Sequence, residues 1–167
     1  KYILNYTQSG DLVLDPFGGS GITAVEALMN QRKAISIDIN PMAVFLVDAL
    51  IAPIELDKFY DDFQFVKKEY LKNEPITESQ FRNILKKHSY PSGYKLPTGS
   101  DVDTVEKLFS KKQLAQLALL KAIIKKVKNV NNRKSLMLMF SGLITKMNLT
   151  YHTSTYVKKE GGGDSAA

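Results

Sequence analysis

DPFGGSGIT, residues 15–23, is the stretch that decides the fold at the start of this chain. It follows a short apolar run, residues 12–14, that indicates a buried strand, and it leads into residues 24–29, whose pattern indicates a helix. In a strand, glycine turn and helix, backbone N–H groups at the helix start face a bound ligand, and side chains there would block its approach. Because glycines at 18, 19 and 21 remove that block, the stretch predicts a cofactor-binding loop.

A second strand and helix follow with short connections. Residues 34–37 indicate a strand that ends at Asp38, and Asn40 with Pro41 supplies an N-cap and a first-turn proline for a helix over 42–51. Strand, helix, strand and helix in this order predict a βαβα unit with two parallel strands.

After residue 53 the pattern changes to successive helices. We therefore expect an α/β fold, with a partial Rossmann-like βαβα unit over residues 1–53 and a mainly helical region over 54–167. The helical region ends in a glycine-rich tail without periodicity, which we expect to be flexible. One helix is predicted over residues 55–72, and one helix is predicted after each of the capping boxes Thr77/Gln80 and Ser110/Gln113. The last predicted helix is buried and capped by Asn132, and its Met137, Met139 and Met147 are expected in the core.

Composition limits the class of protein. The chain has no cysteine, which excludes disulfides and thiolate metal sites and fits a reducing compartment, so we expect a cytoplasmic location. Its longest apolar stretch is too short for a membrane span, and we expect no membrane association. We expect no metal, since His88 and His152 lack carboxylates at ligand spacing. The first residue is Lys1 rather than Met, so we expect that a preceding segment has been removed.

Positive charge is concentrated late in the chain. The net charge is +6, yet residues 107–159 carry 12 basic side chains and no acidic one. Such a segment favours a polyanion such as nucleic acid, and a solvated lysine-rich face is the alternative. Lys121, Lys125 and Lys128 fall in one stripe of a helix predicted over 114–127 and are the candidate nucleic-acid contacts. The segment Tyr151–Tyr156 could stack bases, although an ordered loop is the preferred interpretation.

Two carboxylates stand where the two predicted parallel strands end, the usual ligand edge of an open α/β sheet. Asp38 could accept both hydroxyls of an adenosine ribose, and Asp15 suits a cationic group such as an amino-acid ammonium. Residues 19–24 also match the loose dinucleotide fingerprint of nicotinamide-dependent oxidoreductases. Because Asp15 would repel phosphates, that alternative is disfavoured.

The glycine stretch, together with Ser-Ile-Asp-Ile-Asn-Pro at 36–41, resembles the S-adenosylmethionine-binding region of DNA methyltransferases that modify the exocyclic amino group of adenine or cytosine. The family typically has threonine where this chain has Ile22. The resemblance covers about residues 10–53 and implies S-adenosylmethionine as cofactor. It places Asp15 and Phe17 at the methionine end, Gly19 and Gly21 near the cofactor backbone, Asp38 at the ribose and Ile39 on adenine. The cofactor-binding residues that it implies are Asp15, Phe17, Gly18, Gly19, Gly21, Thr23, Asp38 and Ile39.

One family motif is absent from the sequence. The catalytic Asp/Asn/Ser-Pro-Pro-Tyr/Phe, which holds the target amino group and stacks on the flipped base, does not occur, so no catalytic residue is assigned. We therefore expect the chain to be the cofactor-binding part of a longer or split enzyme of DNA methylation and restriction-modification. DNA is the expected partner, with RNA as an alternative substrate. A non-catalytic nucleic-acid-binding module is the competing hypothesis.

Overall fold

The computed structural model describes residues 2–149, so the Tyr151–Tyr156 segment, His152 and the glycine-rich tail lie outside it. The first part of the chain forms a small parallel sheet of two strands with helices. Leu12 is opposite Lys33 at one end of the strand pair, and Asp15 is opposite Ser36 at the other. The elements are α1 (Tyr2–Tyr6), β1 (Leu12–Asp15), α2 (Ile22–Met29), β2 (Lys33–Ser36) and α3 (Pro41–Leu50).

The predicted order of strand, helix, strand and helix is observed. The structure is a helix-rich α/β arrangement, and residues 2–149 contain no further strand that would extend it into a full Rossmann-like sheet. The second part of the chain is helical. Its elements are α4 (Leu56–Asn73), α5 (Glu78–Lys87), a 3-10 turn (Val105–Leu108), α6 (Lys111–Ile124) and α7 (Val130–Met147).

The hydrophobic core lies among the later helices. α6 packs against α4, α5 and α7, and its buried side chains meet those of α4 and α7. No helix within residues 2–149 is both long enough and apolar enough to cross a membrane. The buried members of the core cluster are Val66, Leu117, Leu119, Ile123, Ile124, Val127, Leu136 and Phe140.

Helix starts follow the local sequence. The Thr77 hydroxyl accepts a hydrogen bond from the Gln80 N–H, and the Gln80 side chain accepts one from the Thr77 N–H at 2.9 Å. The same capping box is formed at the start of α6. Asn40 caps α3 by accepting from the Met42 N–H at 3.0 Å. These three predicted caps are confirmed, because each depends only on residues that are neighbours in sequence.

The predicted cap of α7 is wrong. Asn129, not Asn132, precedes the helix, and its side chain accepts hydrogen bonds from the N–H groups of Asn131 and Asn132 at 3.0 and 3.1 Å. Asn132 lies inside the first turn, fully buried, and its amide donates to Asp62 at 2.7 Å. An asparagine in the first turn can point back into the core, and here it joins α7 to α4.

α7 is also less buried than its composition predicts. Leu136 and Phe140 are buried, and Met137 and Met147 pack against the core, as expected. Met139 is 55% exposed, so its assignment to the core is wrong. Met139 lines the rim of an apolar cavity together with Leu136 and Phe140, so it lies on the same face of α7 as these core residues while much of its side chain remains in contact with solvent.

The two parts of the chain meet through α3 and α7. Lys134 forms an ion pair with Asp48 at 2.7 Å, and the Asn131 amide donates to the Pro53 carbonyl at 3.1 Å. An aspartate inside an apolar helix is expected to serve as a cap or in a buried pair. Asp48 is paired, although the pair is partly exposed rather than buried.

One face of the strand pair is uncovered. Ala34 and Ser36 face α2 and α3, and Val13, the register partner of Ala34, shares that side. Side chains alternate along a strand, so Leu14 and Ile35 project from the opposite face, where both are exposed. Parallel strands are normally covered on both faces, and within residues 2–149 this face lacks a layer.

Candidate cofactor site

The two predicted carboxylates lie at the same edge of the sheet. Asp15 is the last residue of β1, and its carbonyl accepts a hydrogen bond from the Ile37 N–H at 2.9 Å, just beyond β2. Asp38 follows immediately. Because the strands are parallel, their carboxyl ends coincide, and both side chains stand at the edge where open α/β sheets hold ligands.

Asp38 organises the glycine loop. One carboxylate oxygen accepts from the Asn40 N–H at 2.7 Å and the other from the Gly19 N–H at 2.8 Å. These backbone hydrogen bonds, that of Asn40 first, lower the pKa of Asp38 below its ordinary value. The group is therefore a carboxylate at neutral pH, and each oxygen keeps a second lone pair for a ligand hydroxyl.

Packing within the protein explains two of the loop glycines. The Gly18 N–H donates to the Ile37 carbonyl at 2.8 Å, and a Cβ at Gly18 would overlap the Ser36 hydroxyl. Gly21 has a φ of +79°, and a Cβ there would overlap a methyl group of Val47 on α3. The sequence pattern predicts that these glycines permit ligand approach, and the structure adds close contact with β2 and α3.

Gly19 differs from these two glycines. Its φ is +51°, and the nearest atom to an added Cβ would be the Phe17 carbonyl oxygen at 3.9 Å. The loop is therefore open to solvent on the Gly19 side.

The start of α2 is open. Gly21 precedes the helix and has no side chain to cap it, and Thr23 is half-buried in the first turn. Uncapped N–H groups at a helix start give a partial positive charge that favours a carboxylate or another electron-rich group. This end of α2 follows the glycine loop, which Asp38 contacts through the Gly19 N–H.

Two apolar side chains beside the loop are exposed. Phe17 is 88% exposed, and Ile39, next to Asp38, is fully exposed. The Phe17 N–H donates to Asp15 at 3.0 Å, which fixes the loop backbone and leaves the ring outside. Exposed apolar groups at the edge of a polar loop are available to cover the flat or aliphatic parts of a ligand.

A cavity of about 230 Å³ lies between α2, β2 and α3. Two of the eight predicted cofactor residues, Gly19 and Asp38, line it together with the Ser36 side chain. Small-molecule sites typically measure roughly 300–1,000 Å³, so this cavity is small for a nucleoside cofactor. The sequence did not predict Ser36 as a site residue, because its only distinguishing feature there is that it is a small residue near the end of a strand.

The predicted lysine stripe is only partly correct. α6 ends at Ile124, so Lys128 lies in the turn before α7 and does not share a helix face with Lys121. Lys121 and Lys125 line a recess of about 210 Å³, which is also lined by Lys87 at the end of α5 and by His88 just after it. The contribution from α5 was missed, because these residues lie more than thirty positions away in sequence.

The fold and the site together define a class of protein, in which a glycine loop and a strand-end carboxylate lie at one edge of a parallel α/β unit. A family comparison agrees, since residues 1–47 match the family of N6/N4 methyltransferases described as DNA methylase. The resemblance to an amino-methylating DNA methyltransferase is thereby confirmed as a partial match, and the family match covers the part of the chain that holds the glycine loop and Asp38.

Two characterised proteins resemble this chain. The type II methyltransferase M.MjaII of Methanocaldococcus jannaschii is 36% identical over 83 residues, which is 50% of this chain and 14% of that protein. The orphan methyltransferase M.BamHII of Bacillus amyloliquefaciens is 49% identical over 39 residues, 23% of this chain and 15% of that protein. The matches thus span about a seventh of each relative. No solved structure gives a significant match.

Proposed function

We propose that this chain is the S-adenosylmethionine-binding part of an enzyme that methylates the exocyclic amino group of adenine or cytosine in DNA. The observation that carries the proposal is the link between Asp38 and the Gly19 N–H at the carboxyl edge of the sheet. It places a charged acceptor beside a glycine loop and an open helix start. In this proposal residues 1–53 bind the cofactor, and residues 54–167 contribute substrate contacts.

Each predicted site residue has a role that its position permits. Asp38 accepts the ribose hydroxyls, Asp15 faces the ammonium of the methionine moiety, and Ile39 covers the adenine ring. Phe17 covers the aliphatic chain, and Thr23 supplies polar atoms at the helix start. The glycines at positions 18, 19 and 21 let the backbone approach the cofactor.

The cofactor supplies a methyl group bound to a positively charged sulfur, which a nucleophilic amino nitrogen can accept. The residues at the glycine loop and the strand ends bind and orient it, and none of them is assigned to hold the target base. We therefore place the catalytic motif on a further segment, either of the same polypeptide or of a second one.

Two observations support such a segment. Leu12, Leu14 and Ile35 form an exposed apolar face on a parallel sheet, whose faces are normally both covered. The cavity at Asp38 is also below the usual size of a small-molecule site. A segment that adds strands beside β1 or β2 and a helical layer on the exposed face would bury these side chains and deepen the cavity.

DNA is the proposed partner, and a restriction-modification system is the proposed setting. The excess of lysine in the later helices supports contact with phosphates. The same observation supports the second candidate, a nucleic-acid-binding module without catalysis. The two candidates differ in whether the glycine loop binds S-adenosylmethionine.

Equilibrium dialysis with radiolabelled S-adenosylmethionine tests the proposed site. Asp38→Asn should weaken binding about tenfold or more, because it removes a charged acceptor. Asp11→Asn is the matched control: the Asp11 carboxylate accepts from the nearby Gln8 N–H at 2.8 Å, at the other end of β1, and the variant should bind normally.

A second variant separates binding from folding. Asp38 also holds the loop, whereas Ile39 is fully exposed, so Ile39→Ala should weaken binding without lowering the melting temperature. Unchanged affinity in both Asp38→Asn and Ile39→Ala would refute the assignment of this edge to the cofactor.

A further inference from the structure

A basic recess lies between the end of α5 and the last two turns of α6. Its volume is about 210 Å³, and its walls include Lys87, His88, Lys121 and Lys125, with Ser89 beside them. None of the side chains that line it in the described part of the chain is acidic. The recess thus combines three ammonium groups, an imidazole and a hydroxyl, all of which can donate hydrogen bonds to an anion.

The positive charge of the lysines in this recess exceeds the partial negative charge of the adjoining helix ends. A helix C-terminus carries roughly half a negative charge, so the two ends here amount to roughly one. Three lysines leave a surplus of positive charge. Burial, and after it the neighbouring ammonium groups of Lys87 and Lys126, lower the pKa of His88 below its ordinary value. The imidazole therefore lies close to positive charges, and a bound anion would offset them.

A second, apolar cavity adjoins the recess. It measures about 190 Å³, and Ser89, Ala118 and Lys121 line both spaces. Its walls include the rings of Tyr90 and Phe109. Aromatic side chains of this kind stack on nucleobases and contribute roughly 1–3 kcal/mol per base.

We propose that the recess and the cavity together form a nucleotide-binding site. The phosphate lies in the recess against Lys121, Lys125 and His88, and the base enters the cavity beside Tyr90. The site is separate from the proposed cofactor loop, since it is built by α5, α6, α7 and the segment between α5 and α6. The ligand is a nucleoside phosphate, either free or as one unit of a nucleic-acid strand.

Binding of adenosine 5′-monophosphate to the full chain, followed by NMR, tests the proposal. The nucleotide should bind at least about tenfold more tightly than adenosine or inorganic phosphate alone, because only the nucleotide fills both spaces. It should also raise the pKa of His88, since a phosphate beside the imidazole offsets the ammonium groups of Lys87 and Lys126 that lower it. His88→Gln identifies the His88 signal among the two histidines of the chain.

Matched variants locate the two halves of the site. Lys125→Gln should weaken nucleotide binding about tenfold, through the loss of a charged hydrogen bond, whereas Lys111→Gln, which removes the same charge at the opposite end of α6, should not. Tyr90→Ala should weaken it about fivefold or more, whereas Tyr94→Ala, an exposed tyrosine outside the cavity, should not.

The outcomes are distinct. Equal losses in the Lys125 and Lys111 variants would overturn the phosphate recess, and phosphate binding as tightly as the nucleotide would overturn the base cavity. An oligodeoxyadenylate that displaces the mononucleotide would assign the site to a nucleic-acid strand, and failure to displace it would assign the site to a free nucleotide. Absence of binding by every probe would overturn the proposal.

Discussion

Replacing Gly21 by alanine should destabilise the chain strongly. The φ of Gly21 is +79°, and the left-handed region costs an L-residue roughly 1–2 kcal/mol. The new Cβ would also overlap a methyl group of Val47, and overpacking of this kind costs roughly 1–3 kcal/mol. We therefore expect the free energy of unfolding to fall by about 2–5 kcal/mol.

Urea denaturation followed by circular dichroism measures this loss. Gly10→Ala is the matched control, because Gly10 has a φ of +90° and nothing within 4 Å of an added Cβ. Its free energy of unfolding should fall only by the cost of the left-handed backbone conformation, about 1–2 kcal/mol. In the background of Val47→Ala, the Gly21→Ala change should cost less than in the natural sequence. Equal losses in Gly21→Ala and Gly10→Ala, without relief by Val47→Ala, would refute the packing argument.

Three further predictions concern the helices. Gly142 lies inside α7 with open space around it, so Gly142→Ala should raise the free energy of unfolding by about 0.5–1 kcal/mol in the same assay. Ile123 is buried in the core, and Ile123→Ala should lower that free energy by about 2–5 kcal/mol; a loss below about 1 kcal/mol would contradict its placement. Burial, and then Glu74, raise the pKa of Tyr70 to about 12, so the folded state keeps a proton that the unfolded state loses near pH 10. The free energy of unfolding should therefore fall as pH rises from about 10 to 12. Ultraviolet absorbance against pH is measured for the natural chain and for Tyr70→Phe, and the difference between the two curves should have its midpoint near pH 12.

Features that depend on neighbouring residues could be predicted from the sequence. The strands beside the glycine loop, the capping boxes and the Asn40 cap all follow from short patterns. The predicted strand-end position of Asp38 is also found, since the parallel strands bring it to the edge where Asp15 lies. Its contact with the Gly19 N–H across nineteen positions follows from that geometry, not from any local signal.

The errors have physical causes. Asn129, Asn131 and Asn132 are all able to cap a helix, and only packing against Asp62 shows that the last of them is buried. Lys128 was assigned to a helix face because the apolar pattern continues to Val127, although the helix itself ends at Ile124. The basic recess joins α5 to α6, and tertiary contacts of this kind leave no periodic trace in the sequence.

Calorimetric titration of the chain with S-adenosylmethionine, with NAD as the control ligand, tests the central claim most directly. We expect binding of S-adenosylmethionine at one site and no heat of binding with NAD, because the carboxylate of Asp15 beside the glycine loop would repel a pyrophosphate. Binding of NAD in preference, or of neither ligand, would contradict the claim that residues 1–53 form the cofactor-binding part of a DNA methyltransferase.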